Sequence, residues 1–138
     1  GVNSRLDELQ AALLTVKLDD LDRVSEKRRQ IASFYYHNIK NPNIEIPALA
    51  GEDHVYHLFV IRSEFRDELS EHLQKCGVQT LIHYPIPPYR QNAYKGLFNE
   101  KYPITEKIHQ EILSLPISPV LEDEKVQKVI RVINKYEN

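Results

Sequence analysis

Apolar side chains with helical spacing run through the first third of the chain, over a length that one helix in a compact domain cannot have. They recur every three to four positions from Leu6 to Tyr35. A single helix over residues 4–39 would be about 50 Å long, whereas a domain of this size is about 30 Å across. The helix must therefore break, near Asp19 and Asp20, or project. We predict that it projects and that another surface covers its apolar face; two helices stacked within one domain are the alternative.

Beyond Pro42 the apolar spacing changes to that of short strands alternating with shorter helices. Strands are predicted for residues 43–46, 55–62, 78–83 and, as an edge strand, 115–117. Helices are predicted for residues 63–76, which Gly77 ends, for residues 104–113, and for a last segment with apolar Val126, Val129, Ile130 and Ile133. We therefore predict an α+β fold. A long amphipathic helix, residues 1–39, precedes a small α+β domain, residues 40–138, whose sheet packs against helices.

The composition excludes several classes of protein. A formal net charge of −2 leaves no strongly basic surface for nucleic acid or for an anionic membrane. The longest apolar run, residues 58–61, is far too short to span a bilayer. The single Cys76 rules out an internal disulfide and fits a reducing compartment. We therefore expect a cytoplasmic globular protein with neither nucleic-acid nor membrane partners.

The start of the chain places polar and basic residues where the helical pattern begins. Asn3 and Arg5 precede the first apolar position, and Ser4 with Asp7 has the spacing of a capping box. Free N–H groups and the positive end of a helix dipole favour an anion such as phosphate there. The residues alone favour Asn3 as a helix cap and Arg5 as a solvated surface charge. Since the chain has no Met, we expect either a small complete domain or the tail of a larger protein.

The most unusual local stretch is His83-Tyr84-Pro85-Ile86-Pro87-Pro88-Tyr89, where a predicted strand runs into a proline-rich loop. Prolines fix φ and bias the preceding residues to extended geometry, so the imidazole and the two phenols lose little entropy on binding. This arrangement suits a polar ligand such as a sugar or a nucleotide. The alternatives are a rigid loop packed for stability and a proline-rich ligand for another domain.

The sequence contains no recognisable hydrolytic triad, paired-acid motif or metal-binding cluster. His54 and His57 are three positions apart, and on a strand such residues point to opposite faces. They could not share one ion there, so we predict no metal site. Because no triad or paired-acid motif is present, we also predict no catalytic residue in this chain. His57 is instead expected to be a hydrogen-bonded histidine of the core.

Four motifs in the chain resemble, in the same order, the signatures of one family. They are Gly1-x-Asn3-x-Arg5 followed by Leu6-Asp7-Glu8-Leu9-Gln10-Ala11-Ala12, then Val55-Tyr56-His57-Leu58-Phe59-Val60, then His83-Tyr84-Pro85-Ile86-Pro87 with Gln91 and Ala93-Tyr94, and last Leu115-Pro116-Ile117-x-Pro119. The ordered set resembles the DegT/DnrJ/EryC1/StrS aminotransferases. The chain looks like the C-terminal domain of a sugar-nucleotide aminotransferase of pyridoxal phosphate fold type I.

The resemblance implies a homodimeric enzyme that moves an amino group, usually from glutamate, onto a nucleotide-linked keto sugar. Pyridoxal phosphate would be held by a lysine of a large N-terminal domain, and no lysine here matches that motif. The fragment alone is therefore expected to bind no cofactor and to be inactive. The helix of residues 1–39 would run along the large domain and the dimer interface.

The resemblance also implies roles for individual residues. Asn3 would contact the cofactor phosphate of the partner subunit, and Arg5 matches the neighbouring arginine. His83 and Tyr84 would contact the substrate, as would Tyr89, which stands where many members carry a second histidine and so leaves the sugar open. The alternative to the enzyme is a non-enzymatic dimerisation or ligand-sensing module.

Overall fold

The chain folds as the α+β protein that its pattern predicts. The computed structural model describes residues 5–98 and 100–137. The elements within these residues are α1 (Glu8–Leu18), α2 (Leu21–Asn38), β1 (Phe59–Arg62), α3 (Arg66–Lys75), α4 (Pro103–Glu111), β2 (Ile112–Leu115) and α5 (Asp123–Asn134), with short 3₁₀ turns at Pro88–Arg90 and Asn92–Tyr94. None of these helices is long and apolar enough to cross a membrane.

The long helical region divides at Asp19 and Asp20, which is one of the two outcomes that its length allows. Both aspartates keep dihedrals in the right-handed helical region, so the division is a local change of hydrogen bonding between the two helices. The Asp20 carboxylate forms an ion pair with Arg23 in the first turn of α2. This pair stabilises the start of the second helix, where a negative charge is favoured by the helix dipole.

α1 begins later than the capping pattern predicts, because Asp7 is its cap. The Asp7 carboxylate accepts a hydrogen bond of 2.8 Å from the Gln10 N–H. No residue of α1 is buried within the described chain, so its apolar face stays uncovered. α2 instead buries Ile31, Ala32 and Tyr35. The core therefore starts in the second helix.

The sheet is smaller than predicted. β1 and β2 pair antiparallel with Phe59 opposite Leu115. Two predicted strands, residues 43–46 and 78–83, contribute one bridge each, Glu45 to β1 and Leu81 to β2. The predicted strand 55–62 is shortened because Tyr56 has a φ of 46°, which turns the backbone out of extended geometry before Phe59.

The core lies between one face of the sheet and helices α2, α3 and α5. α5 buries the four apolar residues that its spacing predicts, and α3 buries Leu69 and Leu73. Gly77 ends α3 as predicted, with a φ of 72°. Its N–H bonds to the Gln74 carbonyl and the Val78 N–H to the Leu73 carbonyl, which together make a Schellman cap. This cap brings the chain back toward β2.

Candidate functional site

His83 lies on the face of the sheet opposite the core, next to a buried serine. The bridge between Leu81 and Ser114 aligns the two segments, and His83, two residues on, falls on the same face as Leu81. His83 Nδ1 is 2.9 Å from the Ser114 hydroxyl, and Ser114 is 4% exposed. This contact holds the imidazole in one orientation and leaves Nε2 as its free polar atom.

Tyr84 follows directly and presents its side chain to solvent, being 67% exposed. Its backbone carbonyl accepts a hydrogen bond of 2.5 Å from His109 Nδ1 on α4. Since a carbonyl only accepts, His109 must carry its proton on Nδ1. The His83 and Tyr84 rings meet edge to face with centroids 5.6 Å apart. The structure therefore places an imidazole and a phenol side by side on an anchored backbone.

Tyr89 is half-buried, and its hydroxyl already has an internal partner. It donates a hydrogen bond of 2.8 Å to Glu106 Oε1, and Arg90 Nη2 donates one of 2.6 Å to the same oxygen. The Tyr89 ring packs on Tyr102 with centroids 4.8 Å apart. These two donated bonds hold the pKa of Glu106 below its usual range, while removal from water and then the Glu106 bond raise the pKa of Tyr89.

An open cleft of about 1100 Å³ borders His83 and Ser114. Hydroxyl groups line part of it, with Ser70 Oγ 3.0 Å from Thr80 Oγ1. His57 also lines the cleft and is exposed. The predicted core position of His57 is therefore wrong, because the shortened strand leaves this residue outside the ladder. The cleft has the mixture of polar groups and apolar walls that a sugar needs.

Arg28 is a contributor that the sequence pattern did not reveal. Its Nη1 donates to the carbonyls of Tyr56, His57 and Ile117, at 3.4, 3.2 and 2.8 Å. Two of these carbonyls belong to residues that line the cleft, His57 and Ile117. A charged residue in the middle of a helix is normally solvated, so nothing local in the sequence marks Arg28 as a tie between segments.

The sequence also did not predict the roles of Ser114, Glu106 and His109, because each forms a hydrogen bond with a residue that is distant in the chain. Their partners His83, Tyr89 and Tyr84 lie 31, 17 and 25 positions away. Glu106 and His109 are three positions apart, and this spacing places both side chains on the same side of α4. That spacing was the one available signal, and it is common on any helix.

The predicted phosphate contacts lie at the edge of the described chain. Asn3 is outside the described residues. Arg5 is exposed, and its side chain has no hydrogen bond or ion pair with residues 5–98 or 100–137. An unpaired guanidinium of this kind can bind a phosphate through paired donors, so Arg5 fits the phosphate of pyridoxal phosphate. The N-terminus of α1 fits it less well, because the Asp7 carboxylate already caps a first-turn N–H there.

Acidic and thiol groups do not form a metal centre in the part of the chain that the structure describes. No group of three or more His, Cys, Asp or Glu side chains there is arranged to hold an ion.

Comparison with known proteins gives consistent matches over the whole chain. The model of the DegT/DnrJ/EryC1/StrS aminotransferase family matches residues 1–134. The chain is 50% identical over 137 residues to the dTDP-3-amino-3,6-dideoxy-α-D-galactopyranose transaminase of Aneurinibacillus thermoaerophilus. That match covers 99% of this chain and 38% of the relative. The chain therefore spans less than half the length of this curated relative.

Two solved structures show the same fold. The crystal structure of DesV from S. venezuelae, in complex with a ketimine intermediate, superposes with a TM-score of 0.91 at 40% identity, covering 98% of this chain and 38% of that one. The structure of NtdA from Bacillus subtilis with bound cofactor PMP superposes with a TM-score of 0.81 at 33% identity, covering 96% and 33%. The described fold is thus one part of the larger fold of these proteins.

Proposed function

The chain belongs to the DegT/DnrJ/EryC1/StrS aminotransferase family, and from this premise we propose that it is the C-terminal part of a sugar aminotransferase. The whole enzyme would use pyridoxal phosphate to transfer an amino group, from glutamate, to a nucleotide-linked keto sugar. The observation that carries the proposal is the 50% identity to a transaminase over 99% of this chain. A cytoplasmic location would suit the single, exposed Cys76.

Pyridoxal phosphate would supply an electron sink that makes transfer of an amino group feasible at neutral pH. From this chain, Asn3 and Arg5 would bind its phosphate in the partner subunit of a homodimer. The guanidinium of Arg5, which is exposed and has no partner within residues 5–98 and 100–137, supports that role. The large domain of the same enzyme would supply the lysine that holds the cofactor.

His83 and Tyr84 would bind the sugar. When Ser114 occupies Nδ1 of His83, Nε2 can donate to or accept from a sugar hydroxyl, according to the tautomer. The exposed Tyr84 phenol adds a second hydrogen-bonding group and an apolar ring on which a sugar face can pack. Because the loop backbone is anchored at Tyr84, these groups lose little freedom when the sugar binds.

The test uses the full-length protein loaded with pyridoxal phosphate. It is incubated with dTDP-3-amino-3,6-dideoxygalactose and 2-oxoglutarate, and glutamate is measured as the product of the reverse reaction. We expect glutamate to form with wild-type protein, and its formation at low sugar concentration to fall about tenfold or more in His83→Ala, since a group that binds the sugar is lost.

The matched control is Val120→Ala, an exposed apolar residue on a different segment, which should keep wild-type rates. The proposed aminotransferase activity would be contradicted if wild type forms no glutamate with this sugar and its cofactor also does not react with glutamate. That result would favour the ligand-sensing module. Equal rates in His83→Ala and wild type would remove His83 from the substrate site.

A further inference from the structure

Helix α4 holds the proline-rich loop at both ends. The loop, residues 83–90, begins after the Leu81 bridge and ends in the first 3₁₀ turn. At its start the Tyr84 carbonyl accepts a hydrogen bond from His109 Nδ1. At its end Tyr89 and Arg90 both donate to Glu106 Oε1, at 2.8 and 2.6 Å. One helix thus contacts the two ends of a loop that carries the proposed sugar-binding groups.

We propose that Glu106 and His109 are positioning residues, which together set the placement of His83 and Tyr84 for the nucleotide sugar. The inference rests on the proposed function, because it concerns the same sugar site. Neither residue needs to touch the sugar. Their effect is carried by the backbone of the loop between two fixed points.

Glu106 is suited to this role by its surroundings. Its side chain is 27% exposed and forms an ion pair with Arg90, and the guanidinium of Arg90 also lies 5.9 Å from the centre of the Tyr89 ring. The Tyr89 ring also packs against the ring of Tyr102. The backbone carbonyl of Tyr102 in turn accepts a hydrogen bond from the Glu106 N–H. Charge-assisted bonds of this kind are stronger than neutral ones. Glu106 therefore anchors two consecutive loop residues through one carboxylate.

This network changes the role expected of Tyr89. Its hydroxyl proton is donated to Glu106, so it cannot at the same time be donated to a sugar. Tyr89 then contributes by packing its ring against Tyr102 and by fixing the end of the loop to Glu106. Pro87, buried between the two anchors, makes this short span stiff, since its φ is fixed.

The consequence for the enzyme is specific to one half of the reaction. In the proposed enzyme glutamate would react with the cofactor in the absence of the sugar, so displacement of the loop should leave that half unchanged. The half-reaction with the amino sugar would need His83 and Tyr84 in place. A variant that loosens the loop should therefore raise the KM for the sugar and not slow the glutamate half.

The experiment compares Glu106→Ala, Glu106→Gln and His109→Ala in the full-length protein loaded with pyridoxal phosphate. Cofactor absorbance follows each half-reaction separately, with glutamate or with dTDP-3-amino-3,6-dideoxygalactose as the amino donor. We expect Glu106→Ala and His109→Ala each to raise the KM for the sugar about tenfold and to leave the glutamate half unchanged. Glu106→Gln keeps an oxygen acceptor and should recover part of the loss.

Glu71→Ala is the matched control, since Glu71 forms an exposed ion pair with Lys75 on α3, and it should behave as wild type in both halves. Equal slowing of both halves by Glu106→Ala would overturn the proposal, because a general structural defect acts on both. An unchanged KM for the sugar would overturn it as well.

A second measurement does not depend on the sugar. The Arg90 and Gln91 amides donate to the Pro87 and Pro88 carbonyls, at 3.0 and 3.1 Å, so their hydrogen exchange reports on the end of the loop. In Glu106→Ala they should exchange faster, while α5 keeps its protection. If the cofactor of wild type reacts with neither the sugar nor glutamate, the proposed function fails and this measurement alone decides whether Glu106 holds the loop; unchanged exchange would overturn that.

Discussion

Tyr35 links the core to the last of the four family-like motifs. It is the largest fully buried side chain among the described residues, and its ring packs on Phe59 with centroids 5.2 Å apart. Its hydroxyl donates a hydrogen bond of 2.8 Å to the carbonyl of Pro116. Because a phenolate has no compensating partner there, burial raises the pKa of Tyr35 well above its usual range.

This burial predicts a loss of stability at alkaline pH. The folded-state pKa of Tyr35 lies above the unfolded value of about 10, so its contribution is complete below pH 10 and falls as pH rises. Above that pH the free energy of unfolding should decrease by about 1.4 kcal/mol per pH unit from this group alone. Tyr35→Phe should lack that part of the slope in urea unfolding series. At neutral pH it should cost about 1 kcal/mol, for the lost hydrogen bond.

Phe59→Leu serves as the control, because it changes the ring contact and removes no titrating group. It should lower stability at every pH and keep the wild-type slope. If Tyr35→Phe and wild type lose stability in parallel above pH 10, Tyr35 is not the group responsible.

At the scale of elements, one arginine joins a helix to two irregular segments. Arg28 of α2 donates to carbonyls that precede β1 and to one that follows β2. These carbonyls belong to residues outside the paired strands, so they receive no hydrogen bond from a neighbouring strand. The Arg28 guanidinium supplies the donor that a longer pair of strands would have provided. Arg28 therefore stabilises the cleft wall that the positive φ of Tyr56 leaves outside the sheet.

We expect Arg28→Ala to lower the free energy of unfolding by about 2 kcal/mol, because two partly buried carbonyls and one exposed carbonyl lose a charged donor. Urea unfolding followed by circular dichroism measures the change. Arg23→Ala is the matched control on the same helix, since its ion pair with Asp20 is exposed and surface ion pairs contribute little to stability. Equal losses in the two variants would show that the carbonyl contacts of Arg28 contribute nothing beyond a surface charge.

For the whole molecule, the uncovered face of α1 is the feature that needs a partner. Leu9 and Leu13 are 73% and 62% exposed, one helical turn apart on the same side. An apolar stripe of this kind is stable in water only when another surface covers it. In the proposed enzyme that surface would belong to the large domain and the second subunit.

The chain by itself is therefore expected to self-associate through this helix. Sedimentation velocity should show the average mass rising with concentration, and Leu9→Lys with Leu13→Lys should suppress the rise. Val120→Lys is the control, since Val120 is an 86% exposed apolar residue elsewhere on the surface. A wild-type chain that remains monomeric at high concentration would contradict this use of α1.

Elements with a strong local signal were predictable, and those that depend on other segments were not. The apolar stripe of α5 and the Gly77 stop of α3 follow from spacing and backbone preference within a few residues. The break at Asp19 and Asp20 was one of two outcomes that the length of the helical region left open. Strand β1 was predicted too long, because the pattern contains no sign that Tyr56 adopts a positive φ. The proposed roles of Asn3, Arg5, His83, Tyr84 and Tyr89 remain predictions.

The sequence by itself determined the class of fold, the order of its helices and the segment that carries His83 and Tyr84. Only the tertiary structure decided which groups hold that segment: Ser114 on the imidazole, His109 on the Tyr84 carbonyl and Glu106 on Tyr89. The physical reason is the range of the forces. Helix periodicity and capping act over a few residues and can be read locally, whereas a hydrogen bond between distant segments exists only after the core has brought them together.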